Sequence, residues 1–147
     1  MKNSATSNIF RVSEAANLAL HAMAVMAGAG DRPVRTRDIA DGLKASAAHL
    51  AKVMGALERA GLLIGTRGPS GGYRLARPAE RIYLKEVYEA VEGPLVVGRC
   101  LFGVPVCDGR RCILGGFFSG VNRQVEKKLA ETRLSEIVLK IGGTRGK

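Results

Sequence analysis

Apolar residues recur along this chain at two spacings, and the change between them marks its central unit. Leu50, Val53, Met54 and Leu57 fall on one face of a helix. Ser46, just upstream, offers a side-chain oxygen that can accept a bond from a free N–H one turn on. His49, Lys52 and Arg59 lie off the stripe and are free to face a partner. Ala60-Gly61 closes this helix, with Gly61 suited to the left-handed position at C′. The spacing then changes: Leu62-Leu63-Ile64 reads as a short buried strand and Tyr73-Arg74-Leu75 as its partner. The stretch Thr66 to Gly72 between them supplies the φ > 0 positions of a hairpin tip, with Arg67 and Arg74 nearby. A short helix with one apolar and one cationic face, beside a basic hairpin, predicts a winged helix-turn-helix lying on a polyanion.

The flanking patterns build around that unit. A first helix is expected from about Ser13, its cap, to Ala27, ended by Gly28-Ala29-Gly30. Asp31-Arg32-Pro33 reads as a turn, and Thr36 as the cap of a short helix from Arg37 to Gly42. Gly42 to Ala45 then has the length of the turn in a helix-turn-helix. After the hairpin, a helix is expected from about Leu84 to Val91, ended by Gly93-Pro94. A cysteine-containing loop follows, then a longer helix from about Leu114 to Glu131 carrying Phe118, Val121, Val125 and Leu129 on one face. That stripe predicts a dimerisation helix. A last helix, Leu134 to Ile141, would start at a Thr132 cap. The fold class is therefore mainly α with a small β-wing. Its expected parts are a winged helix-turn-helix over residues 9–93, a sensor loop over 94–113, dimerisation and C-terminal helices over 114–141, and a disordered basic tail over 142–147. Residues 1–8, small and polar, are expected to be loose.

Composition narrows the partner. The 147 residues carry a formal net charge of +10, and 46% are hydrophobic, enough for a core. Residues 1–85 hold 13 Lys and Arg against 6 Asp and Glu, whereas residues 86–147 hold 10 against 7, so the basic excess goes with the winged unit. Such a balance points to an anionic partner, nucleic acid or an anionic membrane surface, and only nucleic acid needs the wing. The apolar run Leu18 to Ala29 imitates a signal peptide, but Glu14, Asn17 and His21 form a polar stripe at helical spacing, as a folded amphipathic helix requires. No run is long enough to span a bilayer. A cytoplasmic protein is expected.

The candidate DNA contacts follow from the pattern. Ser46, Ala47, Ala48, His49 and Lys52 are expected at the major groove, where the small residues allow close approach to base edges. Arg67, Ser70, Gly71, Gly72, Tyr73 and Arg74 are expected at the phosphates or the minor groove, and Thr36 and Arg37 complete the set. Gly68-x-x-Gly71-Gly72 is not a nucleotide loop: it lacks the Gly-Lys-Ser/Thr ending and is followed by a strand. With only two histidines and no Ser/His/Asp set, catalysis is not expected, and an electron carrier is the weaker alternative.

Cys100, Cys107 and Cys112 form a C-x6-C-x4-C array. An odd count within thirteen residues argues against a disulfide scaffold, and the spacing is poor for zinc. Thiolates on a loop carrying Gly98, Gly103 and Gly109 suit an iron–sulfur cluster, with Arg99, Arg110 and Arg111 to stabilise the negative charge. Reduced thiols in a cluster-free repressor, or a thiol redox switch, remain the other reading.

Taken together, these motifs resemble the Rrf-type family of bacterial regulators, the IscR- and NsrR-like proteins. The match runs through Asp38-Ile39-Ala40, the stretch Ser46 to Leu62, the wing Arg67-Gly68-x-x-Gly71-Gly72-Tyr73-x-Leu75, Glu86-Val87, and Ala90 to Gly93 into the cysteine loop. It covers roughly Ser13 to Ile141. The resemblance implies a homodimeric transcription factor on double-stranded DNA, and in many members a 2Fe–2S or 4Fe–4S cluster on that loop that sets the response to redox state, nitric oxide or iron–sulfur supply. Three cysteines leave one protein ligand missing. The family supplies it from an acidic residue in the first helix or a histidine after the third cysteine, and this chain has Asn17 and Gly115 at those places. Glu14, Asn17 and His21 share one face of the first helix and are the nearest substitutes.

Overall fold

The computed structural model describes residues 12–69, 71–98, 100, 102, 104, 106–114 and 116–139. The expectations for residues 1–8, Ser70, Arg99, Gly103, Gly115 and the tail 142–147 lie outside them. Five helices and one hairpin make up the described chain: α1 Glu14–Ala29, α2 Thr36–Leu43, α3 Ala47–Arg59, β1 Leu63–Thr66, β2 Gly72–Leu75, α4 Leu84–Glu92 and α5 Gly116–Glu131. Single 3-10 turns sit at Ala79–Arg81 and Leu134–Glu136. None of these helices is long and apolar enough to cross a membrane.

α1 is the centre of the packing. Its alanines Ala16, Ala19 and Ala22 are fully buried, so neighbouring helices come close to its backbone, and Met23 and Met26 fill the space beyond them. Ser13 caps it as expected, accepting a bond from the Ala16 N–H at 3.0 Å. Leu50, Val53, Met54 and Leu57 of α3 join the same core with Ile39 of α2, Leu62, Leu63, Ile82 and Val87. The apolar stripe that identifies α3 in the sequence is thus the face it buries.

β1 and β2 pair antiparallel, Leu63 opposite Leu75 and Thr66 opposite Gly72. The first strand begins one residue later than the apolar run suggests, because the Leu62 N–H is still bonded to the Leu57 carbonyl at the end of α3, at 3.0 Å. A third extended segment joins the hairpin. Val34 exchanges both backbone bonds with Tyr73, each at 2.8 Å. This bridge corrects the expected start of α2. With Val34 committed to extended pairing, Arg35 becomes the N-cap, without a side-chain cap bond, and Thr36 is already helical. α2 also runs one residue further, to Leu43, so the turn to α3 shortens to Lys44-Ala45 before the Ser46 cap.

The expected C-terminal helix is replaced by an extended strap. Backbone bonds from Leu84 N–H to the Thr132 carbonyl at 3.0 Å, and from Leu134 N–H to the Ile82 carbonyl at 2.8 Å, hold Arg133 extended against Tyr83 at the start of α4. Thr132 therefore caps nothing; its hydroxyl donates back to the Lys128 carbonyl at 2.6 Å. Leu134 is buried, and after one 3-10 turn the chain lies across α1, where the Leu139 N–H reaches the Ala24 carbonyl at 3.1 Å. Tertiary pairing overrides the helical periodicity of this segment. Residues 140 and 141, the end of that expected helix, lie outside the described residues.

Candidate nucleic-acid interface and cysteine loop

Burial of one face of α3 decides what the other face can do. Ser46, Ala47, Ala48 and Lys52 are exposed and His49 is half-buried, while Leu50, Val53, Met54 and Leu57 point inward. The Ser46 hydroxyl accepts the His49 N–H at 3.3 Å, satisfying one donor of the first turn. His49 Nδ1 lies 3.5 Å from a Glu14 carboxylate oxygen on α1, which turns the ring's Nε2 edge away from that carboxylate. At the other end of α3, the Glu58 carboxylate accepts the Gly65 N–H at 3.2 Å and ties the helix to the root of the wing. Sequence reasoning passes over Glu58, because an exposed glutamate near a helix end carries no distinguishing pattern.

The wing's glycines do two kinds of work. Gly68 has φ 107, a positive-φ tip residue as the sequence suggests. Gly71 and Gly72 are required for another reason, namely close backbone approach. A Cβ on Gly71 would sit 2.2 Å from the Thr66 carbonyl oxygen, and one on Gly72 would sit 2.5 Å from that of Val34. The wing is thereby held between the start of α2 and its own first strand. Arg67 stands exposed at the tip and Arg74, half-buried, beside Ile64 on the paired strand. Arg37 is exposed in the first turn of α2, and Thr36 beside it is half-buried. Arg35, absent from the expected set, is exposed next to the Val34–Tyr73 bridge. Among the described residues none of Arg35, Arg37, Lys52, Arg67 and Arg74 has a carboxylate within ion-pairing distance. The fold thus brings α3, the start of α2 and the wing together, through the Val34–Tyr73 bridge and the Glu58–Gly65 bond.

The segment between α4 and α5 has no regular structure among its described residues. Its start is anchored twice: the Leu95 N–H donates to Glu89 of α4 at 2.9 Å, and Asn122 of α5 donates to the Gly98 carbonyl at 2.9 Å. Cys100 and Cys112 are half-buried, Cys107 is exposed, and all three are free thiols. Three thiols have the soft-donor chemistry for iron and sulfide. In this conformation they are not gathered for it: among the described residues no three His, Cys, Asp or Glu side chains come together to hold a metal. The proposed fourth ligands, Glu14, Asn17 and His21, do share an exposed face of α1. Glu14 is engaged with His49, and His21 Nδ1 with the Asn17 carbonyl at 2.8 Å. Arg110 faces Asp108, at 3.7 Å, rather than a thiol.

Along α5 the expected stripe divides. Leu129 is buried in the core with α1 and α3, Phe118 and Val121 are half-buried, and Val125 is exposed. Leu129 therefore serves folding. Exposed Ile113 and Phe117, at 96% and 65% of their full accessibility, extend the apolar surface at the start of the helix.

A family model described as an iron-dependent transcriptional regulator, Rrf2, matches residues 12–140. The chain belongs to the Rrf2 family. It is 32% identical over 126 residues to the HTH-type transcriptional regulator IscR of Cereibacter sphaeroides, a match covering 84% of this chain and 81% of that one. It is 29% identical to the IscR of Xenorhabdus nematophila, over 88% of this chain and 74% of that one. Among solved structures, T. potens IscR superposes with a TM-score of 0.67 at 25% identity, covering 87% of this chain and 85% of that one. The cysteine regulator CymR of B. subtilis superposes at 0.71 with 22% identity, covering 87% and 95%, a likeness of fold. The chain is a transcriptional regulator of this type, mostly helical with a two-stranded wing, in a family of non-enzymes.

Gly72→Ala tests the wing geometry. The added methyl meets the Val34–Arg35 backbone, so we expect a loss of about 1–3 kcal/mol in urea unfolding, with faster amide exchange at Val34 and Tyr73. Unchanged stability and exchange would show that the glycine is not needed for close approach.

Proposed function

We propose that this regulator is a homodimer that binds double-stranded DNA. α3 enters the major groove through Ser46, Ala47, Ala48, His49 and Lys52, and the wing lies on the backbone or minor groove through Arg67, Ser70, Gly71, Gly72, Tyr73 and Arg74. Thr36 and Arg37 at the start of α2 reach the adjacent phosphates. The observation that carries this reading is the buried stripe of α3, which leaves a face of small residues with Lys52 beside wing arginines that form no ion pair among the described residues. Arg67→Ala should weaken binding to all sequences alike and lower the slope of log affinity against log salt by about one. An unchanged slope, measured by fluorescence anisotropy across a salt series, would remove Arg67 from the backbone contact.

The dimer seam is assigned to α5, through Phe118, Val121 and Val125. The exposed apolar residues at its start and along its length support this, since isolated protomers rarely leave such residues clustered. Val125 is exposed in the protomer, so Val125→Asp should leave the protomer folded while placing an unpaired charge in the seam. We expect sedimentation to show a monomer with reduced operator affinity; an intact dimer would move the seam elsewhere.

For the loop we propose a sensing role carried by Cys100, Cys107 and Cys112. The thiols lie between α4 of the DNA-binding unit and α5, where a change of loop shape can alter the separation of two recognition helices. The donor set suits an iron–sulfur cluster, and the family's description as iron-dependent supports that reading. The second reading is a cluster-free repressor whose free thiols, one of them the exposed Cys107, act as a redox switch. Cys107→Ala should change operator affinity by about 5- to 150-fold under the sensing condition while sparing non-specific binding. Visible absorbance after anaerobic reconstitution with iron and sulfide assigns the cluster; a response to oxidant without it assigns the switch. A Cys107→Ala protein that binds and responds like wild type would contradict both.

A further inference from the structure

Lys44 is the only non-glycine residue with positive φ among the described residues. It sits at φ 54, ψ 41, in the left-handed region, at the C-terminus of α2. The Lys44 N–H bonds the Asp41 carbonyl at 3.3 Å and the Ala45 N–H bonds the Ala40 carbonyl at 2.9 Å, the paired bonds of a Schellman closure. At the ends of α1, α3 and α4 the chain places Gly30, Gly61 and Gly93 in positive-φ conformations. Of these four helices α2 alone, whose end leads into α3, takes this left-handed position with a residue that carries a side chain.

The backbone there is not free to relax. Leu43 and Ala45, on either side, pack against the core, so the left-handed bend is set by its neighbours whatever residue occupies it. A Cβ in this region crowds the backbone, and glycine would remove that strain. The Lys44 side chain makes no hydrogen bond among the described residues. It is exposed, and no carboxylate lies within ion-pairing distance among the described residues. It does have position, since it stands two residues before Ser46, the cap of the helix whose N-terminal residues meet the bases. A lysine stem there reaches the phosphates flanking the groove that α3 enters.

We infer that Lys44 is a DNA-phosphate contact, retained in a strained backbone position for its charge. The inference rests on the reading of α3 as the recognition helix. It assigns a contact to the turn itself, outside the residues of α3 and the wing.

The test uses K44G and K44R in the full-length protein, with a random-sequence duplex of about three helical turns and an operator recovered by binding-site selection. We expect K44G to melt about 2–4 °C higher than wild type, because the strain is gone. It should nonetheless bind both duplexes about 3- to 10-fold more weakly near 0.1 M salt, with a salt slope smaller by about one. K44R should keep the slope and the wild-type melting temperature. A K44G protein with wild-type affinity and slope would overturn the contact, and one that melts below wild type would overturn the strain. Lys52→Ala separates the two layers. If it weakens binding while K44G does not, only the Lys44 contact fails; if neither does, the placement of α3 fails too.

Discussion

Burial of the Leu50, Val53, Met54 and Leu57 face of α3 against α1 is the interaction on which the rest of the structure depends. It is non-directional in its driving force but directional in its consequence. Once those four side chains are inside, the rotation of α3 about its axis is set, and the face bearing Ala47, Ala48, His49 and Lys52 must point outward. The fully buried alanines of α1 allow the close approach. Two polar ties then carry this orientation to the surface: Glu14 meets His49 near the start of α3, and Glu58 holds the root of the wing near its end.

The second constraint is the Val34–Tyr73 exchange, which makes the wing part of the same body as α2. It explains three local features together: the early start of α2, its Arg35 N-cap without a side-chain bond, and the need for Gly72 beneath the Val34 carbonyl. A hairpin alone is marginally stable in water, so this third segment fixes the place of the wing and of its arginines.

Much of this was legible in the residues because the governing forces were local. The α3 stripe, the Ser46 cap and the Arg67-Gly68 tip each write their structure into neighbouring positions, and they came out where the pattern placed them. What the pattern missed was decided by distant backbone. The helical periodicity from Leu134 onward lost to pairing with residues 82–84, a competition no local window contains. Val34 likewise finds its partner thirty-nine positions away, so the Thr36 cap could not be excluded from sequence. Leu129 shares the spacing of the α5 stripe yet packs in the core with α1 and α3, whereas Val125 at the same spacing is exposed, a division that periodicity alone does not show. The cysteine loop was the least legible part. Its thiols are close in sequence, but a segment without regular structure has no repeat to say whether they meet in space.

The account stands most directly on where DNA touches the protein. Backbone amide exchange, followed by mass spectrometry with and without the selected operator duplex, reads this segment by segment. First-turn amides of a helix lack intrahelical partners and exchange faster than those of its interior, so protection at the start of α3 is readily seen. The account predicts that operator slows exchange across residues 46–52 and 66–74 together, with the start of α2 protected to a lesser degree. Protection absent from both segments and confined instead to α5 would contradict it.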